Sequence, residues 1–429
     1  MTVWGADTVE QAAKDGGPLR VGPRDIVTPL ARERARELGV EITTGTAPSA
    51  GPSAGRPAAT PMQTAELSPS PSPSPALLVP ARAAPRASVL GPPAPFVGPP
   101  SGALYRRGAP LPSAGTAART GRVVVVGAGH VGMIAAMRLA DADQFDEVVL
   151  VDIDRGRAAG VALDLTHTAA LSGFATRVRG VGAVEEAGPA DYVVITAGRP
   201  RQPGMSRADL ISTNARIVGD VAGRVAAISP QAVLVVVTNP LDEMTQHAWA
   251  VSGFPARRVV GMAGVLDTAR FQALAALSGA GRADRITAWA LGSHGEEMVI
   301  PLSRADVDGR PLTERLPAGE LDAVVDRARG SGAEVVGLLR TGSAFLAPGT
   351  SAARMVLAMA RDTGEVMPAA VLAEGQYGIS DVYVGLPARL GRGGVTEIIE
   401  LDLRPPELAA LRAAADRIRE RLAGLAAAS

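Results

Sequence analysis

From Gly121 onward the chain is punctuated by short apolar runs, and no other feature limits its possible folds so strongly. The runs are "RVVVV" at 122–126, "EVVLV" at 147–151, "DYVVI" at 191–195, "AVLVVV" at 232–237 and "RVVG" at 258–261. They are too short and too valine-rich for helices, and they lack the polar alternation of a half-exposed strand, so they read as strands buried on both faces. Helix-type segments separate the later runs, among them "RADLISTNARIVGDVAGRVAAI" and "LDEMTQHAWAVSG". Apolar strands alternating with helices predict a parallel sheet with helices on both sides. After about Leu266 the texture changes. Helices are predicted near 266–280, 319–343 and 350–361, strand-like runs at 366–373, 381–387 and 395–403, and a closing helix from about 405 to 426. Turns such as "GRGG" between the runs suggest an antiparallel layer in a second, α+β domain.

The first 120 residues have a different composition. "SPSPSPSP" and "GPPAPFVGPP" cannot build a helix or a sheet ladder, because proline lacks the N–H donor and fixes φ. Residues 46–120 are therefore expected to be a disordered linker, spanning on the order of 50 Å as a coil. Residues 1–45 read as a small segment in which "PLRV" is strand-like and "DIVTPLARERARELGVEI" is a short amphipathic helix. Thr28 stands at its N-cap, Pro29 at its first position, and Gly39 just past its end. Leu30, Ala35 and Leu38 give that helix a narrow apolar stripe, and its shortness implies that it docks on something.

The 429 residues exceed one ordinary core, so at least two domains are expected. Zero formal net charge argues against nucleic acid or an anionic membrane as a partner recruited by bulk charge. With no cysteine, disulfides, thiolate metal sites and a cysteine nucleophile are excluded, and no metal site is expected. There is no signal-like N-terminus and no apolar run near the roughly 20 residues of a membrane helix, so a soluble cytoplasmic protein is expected.

Four constellations can carry chemistry. "GAGHVG" places Gly127, Gly129 and Gly132 between a strand and a helix, where backbone N–H groups and the helix dipole receive a pyrophosphate. The next strand leads into Asp152, whose carboxylate suits a ribose diol and repels a 2′-phosphate, favouring NAD over NADP. This context makes the parallel sheet a Rossmann-type, doubly wound one. "AGRPRQPGMSR" crowds Arg199, Arg201 and Arg207 into one loop, readable as a solvated loop or as a lid that clamps a carboxylate. "TNP" puts Asn239 at the carboxyl end of a strand, where ligands of open α/β sheets lie, although a turn asparagine before proline is also common. "GVLDTARF" puts Asp267 and Arg270 on one helix face, as a surface pair or as partners of a functional group. Phe271 and Leu274 mark that helix as packed. Finally, the strand-like run "RITAWALG" at 285–292 leads into "LGSHGEEMV", whose His294 is one of only four histidines. The stretch alone reads as a loop histidine after a strand, yet a side chain that titrates near neutral pH is also the natural candidate to carry a proton.

With these pieces in this order, the sequence resembles the lactate/malate dehydrogenase family, specifically its lactate-dehydrogenase-like malate dehydrogenases. The resemblance runs from Gly121 to about Leu425 through "GAGHVG", "LVDID", "ITAGRPRQPGMSR", "VTNPLDEMT", "GVLDTARF", "LGSHGEEMV" and "DVYVGLPARLGRGGV". It implies a Rossmann domain at 121–265 and an α+β catalytic domain at 266–429. It implies NAD as cofactor, bound by Gly127, Gly129, Gly132, Asp152, Asn214, Thr238 and Asn239. His294 would carry the proton and Asp267 would orient and charge it. Arg270 would hold the C1 carboxylate, while Arg207 and Asn239 would polarise the reacting oxygen. Reading "PRQPGMSR" against the family's "PRKPGMSR", the position that chooses the substrate is Arg201. A buried arginine wants a second carboxylate, so malate and oxaloacetate fit and pyruvate leaves it unpaired. The expected function is NAD-dependent malate dehydrogenation in the tricarboxylic acid cycle by a homodimer or homotetramer. A lactate or other 2-hydroxyacid dehydrogenase is the alternative in kind, and a non-catalytic scaffold on this fold the alternative in class. Glu296 stands where the family often has aspartate. The segment at 25–42 is similar to stretches of bacterial microcompartment proteins, which implies a docking partner for the N-terminal helix and a place in a microcompartment lumen.

Overall fold

The computed structural model describes residues 3–4, 6–22, 26–27, 35–36, 38–44, 121–199, 207–295, 297–340 and 342–428. The chain separates into two compact units, Met1–Ser88 and Val89–Ser429. In the first, a helix at Ala6–Lys14 accompanies two small parallel pairs, Val3–Trp4 with Ile26–Val27 and Leu19–Val21 with Ile42–Thr44. Val9, Leu19, Val21 and Ala35 form its small core. The strand expected at "PLRV" is present. The predicted helix around Thr28, Pro29 and Leu30 lies outside the described residues. Of its apolar stripe, Ala35 is buried and Leu38 exposed.

The second unit is organised by one sheet. Its parallel part consists of β1 (Arg122–Val126), β2 (Glu147–Val151), β3 (Arg177–Val181), β4 (Tyr192–Ile195), β5 (Val233–Val236) and β6 (Val259–Gly261). The strands lie in the order β3-β2-β1-β4-β5-β6, all parallel, so β1 and β4 meet where the winding reverses. In this doubly wound pattern, ligands bind at the carboxyl ends beside that switch point. The valine runs explain the layering. Val123 and Val125 face one core, Val124 and Val126 the other, and every one is buried. The covering helices that matter for the site are α1 (His130–Asp141), α2 (Arg155–His167), α3 (Arg207–Ile228) and α4 (Leu241–Ser252).

The remaining elements are α5 (Gly264–Leu277), β7 (Leu291–Gly292), β8 (Met298–Val299), α6 (Ala318–Leu339), α7 (Leu346–Ala360), β9 (Val366–Glu374), β10 (Ser380–Gly391), β11 (Gly394–Ile398) and α8 (Pro405–Ala428). The antiparallel strands do not form a separate layer. They continue the parallel sheet past β6, whose Gly261 pairs with Ala370 of β9, and the order runs on through β10, β7 and β8. The single run expected at 285–292 is broken. Ile286–Thr287 joins a small three-stranded sheet and Leu291–Gly292 joins the large one. No helix among the described residues is long and apolar enough to cross a membrane.

Candidate active site

The glycine turn between β1 and α1 presents a helix N-terminus with no side-chain cap and no acidic residue in its first turn. Its three glycines are not equivalent. A Cβ at Gly132 would stand 1.8 Å from the Gly127 carbonyl oxygen, so the contact of helix with loop requires glycine there. A Cβ at Gly129 would meet no atom within 4 Å, and its φ of −73° suits any residue. Among the described residues nothing demands glycine at 129, whereas close approach of a pyrophosphate to backbone does. Asp152, at the end of β2, accepts from the backbone N–H of Ala128 at 2.8 Å through Oδ2 and from that of Asp154 at 2.9 Å through Oδ1. Two of about four lone-pair positions are thus used, and the rest can accept from a ribose diol. Beside it Ile153 is fully exposed, an apolar surface for a flat ring. These residues fit a dinucleotide.

Two other expected cofactor residues are engaged elsewhere. Asn214 is buried, and its amide is spent on backbone. Oδ1 accepts from Arg199 N at 2.8 Å, and Nδ2 donates to the carbonyls of Arg199 and Asn239 at 3.2 and 2.7 Å. It ties the base of the arginine loop to the "TNP" turn, so a direct ligand role gains no support from this arrangement. Thr238 is likewise buried, donating to the Ala197 carbonyl at 2.7 Å. Asn239 is exposed at the carboxyl end of β5. Arg201 and Glu296 lie outside the described residues, as does the side chain of Arg207, whose backbone opens α3.

The histidine meets its expected partners. His294 Nδ1 lies 2.7 Å from Asp267 Oδ2, and Arg270 Nη1 donates to Asp267 Oδ1 at 3.2 Å. The Asp267 side chain is 2% exposed and that of His294 18%. A carboxylate only accepts, so Nδ1 carries the proton and Nε2 is the nitrogen left to exchange one. Burial disfavours the imidazolium, but the charge and hydrogen bond of Asp267, joined by the charge of Asp242, outweigh it and the repulsion from Arg270. The His294 pKa is therefore raised above the ordinary value of 6.5.

Local structure explains how Asp267 and His294 come together. Asp267 sits in the first turn of α5, where the dipole favours a carboxylate. Its neighbour Thr268 accepts the Ala290 N–H through Oγ1 at 2.9 Å, pinning α5 to the segment that runs into β7 and the histidine. Gly292 and Gly295, both at positive φ, bend the chain on either side of Ser293 and His294. Phe271 is fully buried and Leu274 packs beside it, as expected for this helix. Among the described residues, no carboxylate is hydrogen-bonded to the other three histidines. His130 lies against the Phe345 ring at 5.1 Å, His167 ends α2, and burial lowers the pKa of His247.

Sequence reasoning missed a second carboxylate. Asp242, in the first turn of α4, is almost wholly buried, and its Oδ2 accepts from Ser293 Oγ and from His294 N, both at 3.0 Å. Burial, and then the neighbouring Glu243, push its pKa up to about 7. A cavity of about 350 Å³ joins Asn239, Asp242, Ser293, His294 and Arg421. The signal was present in "NPLDE", two acidic residues opening a helix, but nothing in that stretch names their partner.

Residues 121–261 match the lactate/malate dehydrogenase NAD binding domain, and residues 264–428 the lactate/malate dehydrogenase α/β C-terminal domain. A malate dehydrogenase from Chloroherpeton thalassium is 45% identical over 299 residues, 70% of this chain and 96% of that protein. The chain belongs to the lactate/malate dehydrogenase family. Another family member, a malate dehydrogenase from Synechocystis, is 44% identical over 71% of this chain and 93% of its own length. Among solved structures of the family, a malate dehydrogenase from Salinibacter ruber superposes with a TM-score of 0.68 at 39% identity, covering 71% of this chain and 97% of that one. A lactate dehydrogenase from Cryptosporidium parvum, complexed with lactic acid and NAD, gives 0.69 at 34% identity over 72% and 98%. Both family domains begin after residue 120, so residues 1–120 are additional to them.

Proposed function

We propose that this chain is an NAD-dependent malate dehydrogenase that interconverts malate and oxaloacetate. The observation that carries the reading is the buried Asp267–His294 pair with Arg270 on the same carboxylate, at the carboxyl end of a dinucleotide-type sheet. The curated relatives at 44–45% identity described above are malate dehydrogenases. NAD, when bound, supplies the hydride acceptor. Gly127, Gly129, Gly132 and Asp152 hold it, and Asn214 and Thr238 shape the adjoining loops. Neutral His294 accepts the malate hydroxyl proton at Nε2, and its imidazolium returns that proton to the ketone oxygen in the opposite direction. Asp267 keeps Nδ1 protonated and stabilises the imidazolium. Arg270 binds the C1 carboxylate, Arg207 and Asn239 polarise the reacting oxygen, and Arg201 binds the second carboxylate and excludes pyruvate.

The same reading divides the chain into a small segment at 1–45, a linker at 46–120, the NAD domain at 121–265 and the substrate domain at 266–429. It extends to a cytoplasmic homodimer or homotetramer serving the tricarboxylic acid cycle. The N-terminal segment is proposed to dock in a microcompartment. Deletion of residues 1–120 should change location without changing turnover, and unaltered location would dismiss that docking role. The decisive experiment measures NADH and NADPH oxidation with oxaloacetate and with pyruvate. Rapid NADH oxidation with oxaloacetate is expected, and a chain active only with pyruvate, or with neither, would refute the proposal.

A further inference from the structure

A single arginine from the end of the chain grips the histidine loop on both sides. Arg421 of α8 pairs through Nε with Glu243, donates from Nη1 to Glu297 Oε2 at 2.7 Å, and donates from Nη2 to Ser293 Oγ at 2.8 Å. Ser293 precedes His294 by one residue and Glu297 follows it by three. Glu243 is 2% exposed and Arg421 14%, so this is no solvated ion pair. The contacts continue inward. Ser293 Oγ donates to Asp242 Oδ2, and the same oxygen accepts the His294 backbone N–H.

Two carboxylates therefore hold the histidine independently. Asp267 fixes one ring nitrogen, about which alone the ring could pivot. Asp242 fixes the backbone from which the ring springs. With both ends held, the direction of Nε2 is determined. Asp242 holds the backbone only while Ser293 and the loop are kept in register, and Arg421 does that. One planar fork reaches three elements, α4, the turn after β7, and the approach to β8, which a lysine ammonium cannot match.

We propose that Arg421 is a positioning residue for proton transfer, aiming His294 through Ser293 and Asp242 rather than touching substrate. The inference rests on His294 being the proton carrier. Misplacement of a reacting group by about 1 Å can cost ~100-fold in rate, so a device acting through two hydrogen bonds is expected to matter by tenfold or more.

Among the described residues, the charges of Asp267 and Arg270 on α5 and of Asp242 on α4 act on His294, while Glu243, Glu297 and Arg421 line the same cavity, and Arg417 on α8 pairs with Glu297. Removing the Arg421 charge leaves Glu243 and Glu297 less compensated and makes His294 hold its proton more tightly. R421K keeps the charge but not the fork, so the two substitutions separate aim from charge.

The test uses full-length protein and steady-state oxaloacetate reduction across pH, with NADH affinity from fluorescence titration. R421K is expected to lower kcat by ~10-fold or more, with oxaloacetate KM and NADH affinity within about twofold of the parent and the pH profile unmoved. R421M is expected to lower kcat similarly and to move the histidine-controlled limb to higher pH. Should the Arg421 variants fail to fold, S293A, which removes only the hydroxyl linking Arg421 to Asp242, carries the test with the same kcat loss expected. An active parent with R421K or S293A at parental kcat overturns the inference alone. A parent that does not oxidise NADH with oxaloacetate overturns the functional reading and this inference with it.

Discussion

Exchanging Asp267 for asparagine keeps the shape of the side chain that holds His294 and removes its charge. Two opposite unit charges about 4 Å apart attract by ~4 kcal/mol at an effective dielectric of about 20, the equivalent of ~3 pKa units. In the parent that attraction is offset in part by burial of the ring and by Arg270, and the net result is a raised pKa. In D267N both opposing influences persist without the carboxylate, so the His294 pKa should fall below 6.5. The imidazolium is then depleted at neutral pH. The asparagine amide can also donate to Nδ1, forcing the ring proton onto Nε2, the nitrogen that must be free in malate oxidation. Together these should lower kcat by ~100-fold to ~10,000-fold, with NADH affinity nearly unchanged. The assay is NADH absorbance in both directions from about pH 5 to about pH 9. The parent should reduce oxaloacetate well below its raised pKa and oxidise malate well above it. Linkage has the same sign: the pair stabilises the fold fully below the unfolded histidine pKa, and that contribution is lost as pH rises through the folded value. D267N should lack this loss. A D267N enzyme with the parental pH limb, or within tenfold of parental kcat, would refute the reasoning.

Three further outcomes are expected. Arg201→Gln should reduce the preference for oxaloacetate over pyruvate by ~100-fold, measured as the ratio of kcat/KM values, and full retention would mean that another residue reads the second carboxylate. Gly129→Ala should fold with parental Tm yet bind NADH ~10-fold more weakly, whereas Gly132→Ala, driven into the Gly127 carbonyl, should cost ~1–3 kcal/mol in urea unfolding. Asp242→Asn concerns stability. Asp242 holds its proton to about pH 7 in the fold and to about 3.9 when unfolded, so the parent should lose ~1.4 kcal/mol per pH unit relative to D242N between about pH 4 and about pH 7, and no more above that. A constant difference across that window would show that Asp242 is ionised in the fold throughout.

What could be read from the chain alone followed from how local each signal is. The buried strands were legible because valine runs flanked on both faces have few other uses, and β1 with its neighbours lies where expected. Asp267 and Arg270 were legible as a pair because three residues along a helix is one face. The start of α7 at Leu346 was not, since Pro348 and Gly349 look like a loop although a first turn tolerates proline. The break between Thr287 and Leu291 was hidden for another reason. It depends on α5 coming close enough for Thr268 to take the Ala290 N–H, a contact across 22 residues. The attachment of β9 to Gly261 is longer still.

The site divides along the same line. The residues proposed to handle substrate and cofactor sit in compact motifs, because a reacting group needs neighbours of fixed type at fixed spacing. The residues that aim the histidine need only arrive at the right place, from any element. Asp242 reaches Ser293 across 51 positions and Arg421 reaches it across 128. An arginine among the many of this chain carries no mark of that destination, and a buried aspartate beside a glutamate looks like any acidic helix start. Only packing brings α4, the His294 loop and α8 together. On the proposed reading, their hydrogen bonds decide whether the ring paired with Asp267 points Nε2 at the substrate oxygen or past it.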